Sequence, residues 1–582
     1  LGNEDAQIDV VLCSADQMYK DITPQQKARL PKYIGELMLT EHSSGAMTSQ
    51  AYMKRWNRKN EQLADAAERA AVMADWLGGM EYPHKQLHQA WWRVLASQMH
   101  DILPGTCLPK SYEYAWNDEL IAANGFAEVL NGSIGAVSRV LDTRVKGQAI
   151  VVYNALSFAR EDIAEATVVF AGGAPEAVRV YNPQDKEVPS QVLSIDGNAV
   201  KVAFLASVPA VGAAVFDIRP SSKPCALRSG LAVSERMLEN AYYRVTLNDA
   251  GDIASIYDKQ AHRELLSRPA RLEFHRGTPK AWPAWNMDWR ERALPAMGYV
   301  DGPADIRIAE NGPARVAIEV KRQAANSVFV QRICLSAGDS GRRVEVKNEV
   351  EWQSMACVLK ASFPLTVSNQ TATYTQGLGT IQRSNNNPRQ FEMLSHEWFD
   401  LTDTSGEYGV SILEDCKFGS DKPSDDVIRL TLLYTPGAMH GSYQDQLSQD
   451  WGRHEFTYAV YGHEGNWQKG LPERQGRRLN QPLRTFQVQP HPGTEGKSLS
   501  MLQINTSQVD VRAIKKSEDG QMVVIRLQEL LGRNADSVEL TLGKGIVSGY
   551  EIDGQERKIR PADIQKGKLK VSMTKYAIRS FA

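Results

Sequence analysis

Hydrophobic and small residues recur with a helical period in the first quarter of the chain. Between residues 48 and 77 they are spaced by three, four and seven positions, which places them on one face of a long helix that ends at Gly78 and Gly79. The positions on that face are Trp56, Leu63, Ala67, Ala70, Ala74 and Leu77.

Two more helices are predicted after Pro83. The second has apolar positions at Leu87, Trp91, Val94 or Leu95, and Gln98. The third runs from Ser111 through Trp116 and past Ala123, with Gly125 and Gly132 as weak points. Three helices joined by short connections predict an antiparallel bundle.

From about residue 148 the hydrophobic period changes to two, which predicts antiparallel sheets with one buried face. The clearest alternations are Val200, Val202 and Phe204, then Val316, Ile318 and Val320, then Val344, Val346, Val350 and Trp352. Proline-rich segments at 220–224 and 490–496 are predicted linkers. They divide the β region into domains over 148–222, 226–488 and 497–582.

The start of the chain has a different pattern. Residues 8–12 predict a strand, and Thr23 with Pro24 predicts the beginning of a short capped helix. We assign residues 1–45 to one structural unit and residues 46–147 to the helix bundle. The predicted fold class is a multidomain α+β protein with a three-helix bundle followed by antiparallel β-sandwich domains.

Composition narrows the class of partners. A chain of 582 residues with 42% hydrophobic residues is expected to form about three to five domains. The formal charge of −2 gives no strong field, which argues against nucleic acid and anionic membrane surfaces as partners. No apolar run reaches the roughly 20 residues that a membrane span needs, and the first residues lack the features of a signal peptide.

Cysteine and histidine motifs give little support for a metal site of their own. The six cysteines are scattered without a Cys-x-x-Cys, so buried thiols or an occasional bridge are expected. Three His-Glu pairs begin at His396, His454 and His463, and none continues to the His-Glu-x-x-His of zinc proteases.

Residues 98–106 combine chemistry with a helix end. They read Gln-Met-His-Asp-Ile-Leu-Pro-Gly-Thr, so His100 and Asp101 stand where Pro104 and Gly105 stop the second helix. A helix end can hold an imidazole metal ligand beside a carboxylate that binds substrate. The alternative is an ordinary C-terminal histidine that interacts favourably with the helix dipole.

Several motifs together resemble the family 38 glycoside hydrolases, the zinc-dependent retaining α-mannosidases, and most closely their bacterial branch. They occur in order along nearly the whole chain. Besides the His100-Asp101 motif they include residues 35–42 (Gly-Glu-Leu-Met-Leu-Thr-Glu-His), 54–61 (Lys-Arg-Trp-Asn-Arg-Lys-Asn-Glu), 112–118 (Tyr-Glu-Tyr-Ala-Trp-Asn-Asp), 280–289 (Lys-Ala-Trp-Pro-Ala-Trp-Asn-Met-Asp-Trp) and 452–459 (Gly-Arg-His-Glu-Phe-Thr-Tyr-Ala).

The resemblance implies one zinc ion, held in the family by a His-x-Asp pair, a further Asp that is the nucleophile, and the histidine matched by His100. None of the eleven histidines begins a His-x-Asp. We therefore expect residues 1–45 to be the remnant of an α/β catalytic domain, with the nucleophile and general acid upstream of Leu1. The resemblance also implies that 226–488 is a galactose-mutarotase-like super-sandwich and that Asp101 binds sugar hydroxyls.

A tryptophan-rich segment is the next candidate for sugar binding. Trp282, Trp285 and Trp289 stand with Asn286 and Asp288; indole faces stack on pyranose rings, and the polar side chains bind hydroxyls. Such aromatic clusters also fill cores, so both interpretations stay open. We predict substrate contacts from Trp285 and Asp288, and from Arg383 reaching the same cleft. Ser43 replaces an aromatic residue found in some family members.

For the intact enzyme the resemblance implies a double displacement that releases mannose with retained configuration, while zinc binds adjacent hydroxyls. The expected partners are an α-mannoside or mannose-containing glycan and the missing N-terminal catalytic domain; a homo-oligomer is left open. The compartment is also open, with the periplasm or secretion favoured over the cytoplasm. Two alternatives are a non-enzymatic carbohydrate-binding or scaffold protein, and a mutarotase-like or lyase-like enzyme confined to the super-sandwich.

Overall fold

The computed structural model describes residues 11–33, 37, 42–437, 444–543 and 545–582. The chain forms two compact units, residues 1–39 and 40–582. In the first, α1 spans Gln17–Lys20 and α2 spans Pro24–Arg29. Thr23 and Gln26 form a capping box at α2, which confirms the predicted capped helix. Residues 8–10 of the predicted strand over 8–12 lie outside the described residues, and residues 11–12 form no strand.

The second unit begins with the predicted three-helix bundle. Its elements are a 3₁₀ turn at Gly45–Met47, α3 (Ala51–Trp76), α4 (His84–Ser97) and α5 (Pro109–Val140). Ala67, Ala70 and Ala74 are buried as predicted, whereas Trp56 and Leu63 are partly exposed. Polar residues of α3 are buried too, because other domains cover the helix on nearly all sides.

Helix α5 passes through both predicted weak points without a break. Gly125 leaves room for α4, since a Cβ there would lie 3.4 Å from Ala90 Cβ. By length and composition alone α5 could cross a membrane. In this fold it packs against α3 and α4, with Phe126 and Ile134 in the core of the bundle.

A small β-sandwich follows the bundle. Two sheets, with orders β1-β7-β3-β4 and β2-β6-β5, enclose a core that includes Val152, Phe204 and Phe216. The predicted linker at 220–224 is shorter than expected, because its first two residues extend β7. The strands are β1 (Gln148–Asn154), β2 (Arg160–Val169), β3 (Ala177–Tyr181), β4 (Glu187–Val188), β5 (Ser190–Asp196), β6 (Ala199–Val208) and β7 (Gly212–Ser221).

The large β region contains a five-stranded, a six-stranded and a nine-stranded antiparallel sheet. Aromatic contacts of Phe274 with Phe329 and Trp352 join the last two sheets. Strands β8 to β14, with α6, are β8 (Ala232–Ser234), β9 (Met237–Glu239), β10 (Tyr243–Leu247), β11 (Ile253–Asp258), β12 (Arg263–Glu264), β13 (Arg271–Arg276), α6 (Trp289–Arg292) and β14 (Gly298–Tyr299).

The remaining strands of this region complete the six-stranded order β14-β13-β19-β26-β25-β22 and the nine-stranded order β15-β16-β17-β18-β27-β24-β23-β20-β21. They are β15 (Asp305–Asn311), β16 (Arg315–Ala324), β17 (Ser327–Ser336), β18 (Val344–Trp352), β19 (Cys357–Pro364), β20 (Thr371–Thr375), β21 (Thr380–Ser384), β22 (Met393–Leu394), β23 (Trp398–Thr402), β24 (Tyr408–Glu414), β25 (Gly419–Ser424), β26 (Val427–Thr435) and β27 (Gly452–Glu464). Two 3₁₀ turns lie at Gly338–Arg342 and Gln444–Ser448.

The chain then returns to the small sandwich through α7 (Trp467–Gly470), α8 (Pro472–Asn480) and β28 (Arg484–Val488). Strand β28 pairs with β1, with Ala149 opposite Val488. Residues 484–488 thus belong to the sheet that starts at 148, whereas the predicted domain over 226–488 includes them. Alternation within a strand carries no information about which distant strand becomes its partner.

The C-terminal domain is a sandwich of a four-stranded and a five-stranded sheet, preceded by β29, which pairs with β7. The predicted fold class, a multidomain α+β protein with a helix bundle and antiparallel β-sandwiches, is confirmed. The strands are β29 (Ser498–Ser500), β30 (Leu502–Ile504), β31 (Val509–Lys516), β32 (Val523–Glu529), β33 (Ala535–Leu542), β34 (Tyr550–Ile552), β35 (Lys558–Pro561), β36 (Ile564–Gln565), β37 (Lys568–Met573) and β38 (Ile578–Phe581).

Candidate functional site

The His-Asp loop, residues 98–107, leaves the end of α4 and folds around Asp101. The backbone carbonyl of Asp101 accepts hydrogen bonds from the N–H groups of Thr106 (2.9 Å) and Cys107 (3.0 Å). The Thr106 hydroxyl donates to Asp101 Oδ1 at 2.8 Å. One carboxylate oxygen is thus held by the loop itself, which fixes the direction of the other.

His100 lies at the surface of this loop. Its side chain is 87% exposed, and Nε2 is 3.3 Å from Asp101 Oδ2, whose side chain is 35% exposed. The imidazole and the carboxylate are therefore adjacent and open to solvent. Such a pair can bind a metal ion and a hydroxyl group, provided that other donors complete the site.

Lys54 of α3 holds the backbone of the His-Asp loop through hydrogen bonds. Its ammonium donates to the carbonyl oxygens of Ser49 (2.5 Å), Leu103 (2.9 Å) and Pro104 (3.2 Å). Burial lowers the pKa of Lys54, and the neighbouring Asp450 carboxylate partly opposes that shift. A buried amine with three carbonyl partners joins the loop rigidly to the helix.

Residues 43–50 connect the His-Asp loop with the tryptophan loop, residues 282–289. Ser49 Oγ donates to the carbonyl of Ala284 at 2.5 Å, and the Gly45 N–H donates to the carbonyl of Trp285 at 2.7 Å. The Ser44 hydroxyl donates to the Met287 carbonyl at 3.0 Å. Because Lys54 binds both the Ser49 carbonyl and the Leu103 carbonyl of the His-Asp loop, the two predicted sugar-binding motifs are connected through one short segment.

The tryptophan side chains have different surroundings. Trp282 is 49% exposed and meets Trp285 edge to face, with 6.0 Å between ring centroids. Trp289 packs against Phe391 in a small buried cluster. Trp282 therefore lies at the loop surface, Trp289 packs against the core, and Trp285 is partly exposed, like Trp289.

Asp288 organises its own loop. Its Oδ2 accepts from the Lys280 N–H at 2.9 Å and lies 3.3 Å from Arg290 Nε. The side chain of Asn286 likewise accepts from the Ser43 N–H and donates to the Ala281 carbonyl. These bonds give Asn286 and Asp288 a structural role within the tryptophan loop. The substrate contacts of Asp288 and Trp285 stay predictions.

Arg383, another predicted substrate contact, has a buried side chain. The residue is 1% exposed, and its Nη1 donates to the carbonyl of Leu394 at 2.5 Å. The guanidinium also lies over the ring of Tyr374, 4.8 Å from its centroid. The strand thus directs this side chain inward, and its substrate contact stays a prediction.

The described residues do not assemble a complete set of zinc donors. Among the described residues, no group of three or more histidine, cysteine, aspartate or glutamate side chains lies close enough to hold a metal ion. His100 and Asp101 supply at most two donors, whereas catalytic zinc sites have about three protein ligands. These residues alone do not fit a zinc site.

Sequence reasoning missed the residues that position this site. Lys54 and Ser49 make its long-range bonds, and Asp450 Oδ1 accepts from the Ala51 N–H at the start of α3. Burial raises the pKa of Asp450 to about 7. The sequence signal for this role was Lys54, the first residue of the motif at 54–61, at a helix position that packing would bury.

Three family models match this chain. The Alpha mannosidase middle domain matches residues 41–132, which contain the His-Asp loop. The Glycosyl hydrolases family 38 C-terminal domain matches 238–438, which contain the tryptophan loop and Arg383. The Glycosyl hydrolases family 38 C-terminal beta sandwich domain matches 508–581. Together they cover more than half of the sequence.

Curated relatives found by sequence comparison agree with these family models. Alpha-mannosidase G of Dictyostelium discoideum is 25% identical over 558 residues, covering 89% of this chain and 49% of that protein. Alpha-mannosidase 2C1 of Mus musculus is 25% identical, covering all of this chain and 53% of that protein.

The chain therefore spans about half the length of these curated relatives. The crystal structure of a glycosyl hydrolase family 38 protein from Enterococcus faecalis superposes with a TM-score of 0.81 at 16% identity, over 98% of this chain and 73% of that one, and so shares the fold. The chain belongs to glycosyl hydrolase family 38.

Proposed function

We propose that this chain forms the helix-bundle and β-sandwich part of an α-mannosidase, in which His100 and Asp101 belong to the site that cleaves α-mannosides. The observation that carries the proposal is the His-Asp loop, in which Lys54 holds the backbone and Thr106 holds the Asp101 carboxylate, with the exposed His100 imidazole beside that carboxylate. Rigid presentation of two polar side chains at a surface suits a binding site. Family membership and the names of the relatives support the same reaction class.

In this proposal His100 provides one zinc ligand, and the other ligands, the nucleophile and the general acid come from residues outside these 582. Bound zinc would supply Lewis-acid chemistry toward substrate hydroxyls. Asp101 accepts a hydrogen bond from a sugar hydroxyl with Oδ2, while Oδ1 stays bonded to Thr106.

The surface around the loop supports contact with another part of the enzyme. Several large apolar side chains on and next to the His-Asp loop are exposed, which is unusual for a surface that faces only water. They are Trp92, Leu95, Met99, Leu108 and Tyr114, all on or next to α4, the His-Asp loop and the start of α5.

The test compares residues 1–582 with the full-length gene product, using an aryl α-mannoside. We expect turnover only from the full-length protein, with activity lost on chelation and restored by zinc. Loss of a nucleophile and an acid removes several powers of ten in rate. Metal analysis of the 582-residue chain after dialysis should show well under one zinc per chain, since one imidazole binds zinc weakly.

Metal-dependent turnover from the 582-residue chain, verified by mass, would contradict the proposed division of the site. Sugar binding without hydrolysis by the full-length protein would instead support the alternative of a carbohydrate-binding protein.

A further inference from the structure

A cavity of about 270 Å³ lies within the second unit, where α3, α8, β31 and the segments around residues 377 and 397 meet. The described residues of the His-Asp loop and of the tryptophan loop are not among those that line it. Its volume is close to the lower end of small-molecule sites, about 300–1,000 Å³. The cavity is thus a separate feature from the proposed α-mannosidase site.

Arg477 stands among three carboxylates without hydrogen-bonding to them. Its guanidinium nitrogens lie 3.7 Å from Asp65, 3.6 Å from Glu397 and 3.9 Å from Asp510. Nε of Arg477 has no hydrogen-bond partner among the described residues. Opposite charges held at such distances leave room for a bridging hydroxyl group or water.

Arg58, another lining residue, is buried and lies over the ring of Phe418, and the hydrogen bonds of its guanidinium group are long. Its nearest hydrogen-bond partners, Asn480 Oδ1 and His396 Nδ1, are both at 3.4 Å, and Glu397 Oε1 is 3.7 Å from Nη1. Glu397 itself has a left-handed backbone conformation, with φ of 62°. A non-glycine residue in that conformation costs about 1–3 kcal/mol and is common at ligand sites.

Gln481 provides the independent sign of a missing ligand. The residue is 1% exposed, and its Nε2 donates to the Gln62 carbonyl at 2.7 Å. Its Oε1 has no hydrogen-bond partner among the described residues, and Gln481 is one of the residues that line the cavity. Buried polar atoms normally have a partner, so an acceptor left open beside a cavity points to a donor that enters it.

The charges of the lining select the class of ligand. Three guanidinium groups face four carboxylates, and burial lowers the pKa of His396 to about 3, which keeps that ring neutral. A phosphate would meet the carboxylates, and a metal ion would meet the guanidinium groups. Hydroxyl groups donate to carboxylates and accept from guanidinium groups, so they match both. The charged residues of the lining are Arg58, Arg477, Arg512, Glu61, Asp65, Glu397 and Glu473.

We propose that this cavity binds a small neutral polyhydroxylated molecule, either a free monosaccharide or a linear polyol. Hydroxyl groups bridge Arg477 to Glu397 and Asp65, and one donates to Gln481 Oε1. The proposal does not depend on catalysis, because none of these residues belongs to the His-Asp loop.

The experiment is saturation-transfer NMR and calorimetry on the 582-residue chain, with D-mannose, D-mannitol and inorganic phosphate as probes. We expect saturable binding of mannose or mannitol and none of phosphate; a preference for mannose identifies a ring, and a preference for mannitol a linear polyol. Glu397→Gln should weaken binding by about tenfold or more, the worth of one charged hydrogen bond.

Two variants serve as controls. Glu455→Gln changes a glutamate that is 45% exposed and paired with Arg55 outside the cavity, and Asp101→Ala changes the proposed α-mannosidase site; both should leave the affinity unchanged. A loss confined to Asp101→Ala would place the sugar at the His-Asp loop and overturn the proposal.

Binding of phosphate alone, binding of none of the probes, or unchanged affinity in Glu397→Gln would also overturn it. If Glu397→Gln does not fold, Leu378→Trp closes the mouth at a position that is 63% exposed and tolerant of change. Binding that survives Leu378→Trp would equally contradict the assignment.

Discussion

Gly105 packs so closely against Ser49 that a Cβ atom at residue 105 would overlap the carbonyl oxygen of Ser49. Gly105 also has φ of 91°, which side chains rarely adopt. The His-Asp loop thus packs against residues 43–50. The Ser49 hydroxyl in turn donates a hydrogen bond to the Ala284 carbonyl of the tryptophan loop. The two candidate sugar-binding loops therefore meet at Ser49, which lies against Gly105 of one loop and donates to Ala284 of the other.

Gly105→Ala should loosen the His-Asp loop and cost more stability than backbone strain alone, which is about 1–3 kcal/mol. Gly78→Ala is the matched control, because Gly78 has φ of 72° but nothing within 4 Å of a Cβ. Denaturant unfolding and amide exchange over residues 98–107 would measure both. Equal costs for the two substitutions would show that the close approach to Ser49 is unimportant.

Lys54→Met should destabilise the protein by at least about 2 kcal/mol, because three buried carbonyl oxygens lose their donor. Lys110→Met is the comparison, since Lys110 and its partner Glu113 are 67% and 60% exposed and such pairs contribute about 0–1 kcal/mol. Urea unfolding gives both values. A Lys54 variant as stable as the Lys110 variant would contradict the anchoring role.

Asp101→Ala in the full-length enzyme should lower kcat/KM by the equivalent of about 2–4 kcal/mol while changing stability by less than about 1 kcal/mol. The residue loses a bond to Thr106 and a proposed bond to substrate. Asp118→Ala, in an ion pair with Arg93 on the bundle, should leave kcat/KM unchanged. An inactive Asp118 variant, or a strongly destabilised Asp101 variant whose remaining folded fraction has normal activity, would argue for a structural role of this region.

The helix bundle should become less stable as the pH rises from mildly acidic to neutral. Burial raises the pKa of Glu119 from 4.5 to about 7, although a hydrogen bond from Asn60 opposes the shift. The folded protein then keeps a proton that the unfolded chain releases, so this stabilisation is present below about pH 4.5 and is lost as the pH approaches about 7.

Glu119→Gln should make that decline shallower, as measured by urea unfolding across the same pH range. Glu113→Gln, at an exposed position, should follow the wild-type curve. A wild-type slope in the Glu119 variant would mean that other groups cause the pH dependence.

Much of the architecture follows from local pattern. The alanines at 67, 70 and 74 predicted the buried face of α3, and alternation at 316–320 and 344–352 predicted strands β16 and β18. The order of the motifs also identified the family. These features depend on neighbouring side chains that share a face, which is information the sequence carries directly.

The tertiary structure decided what distant segments do to one another. It paired β28 with β1, buried Arg383, brought Ser49 to both loops and left Arg477 among three carboxylates. Each of these depends on where the chain returns after more than a hundred residues, or on how its domains pack. Periodicity determines which face of an element is apolar, and only the folded chain determines what covers it.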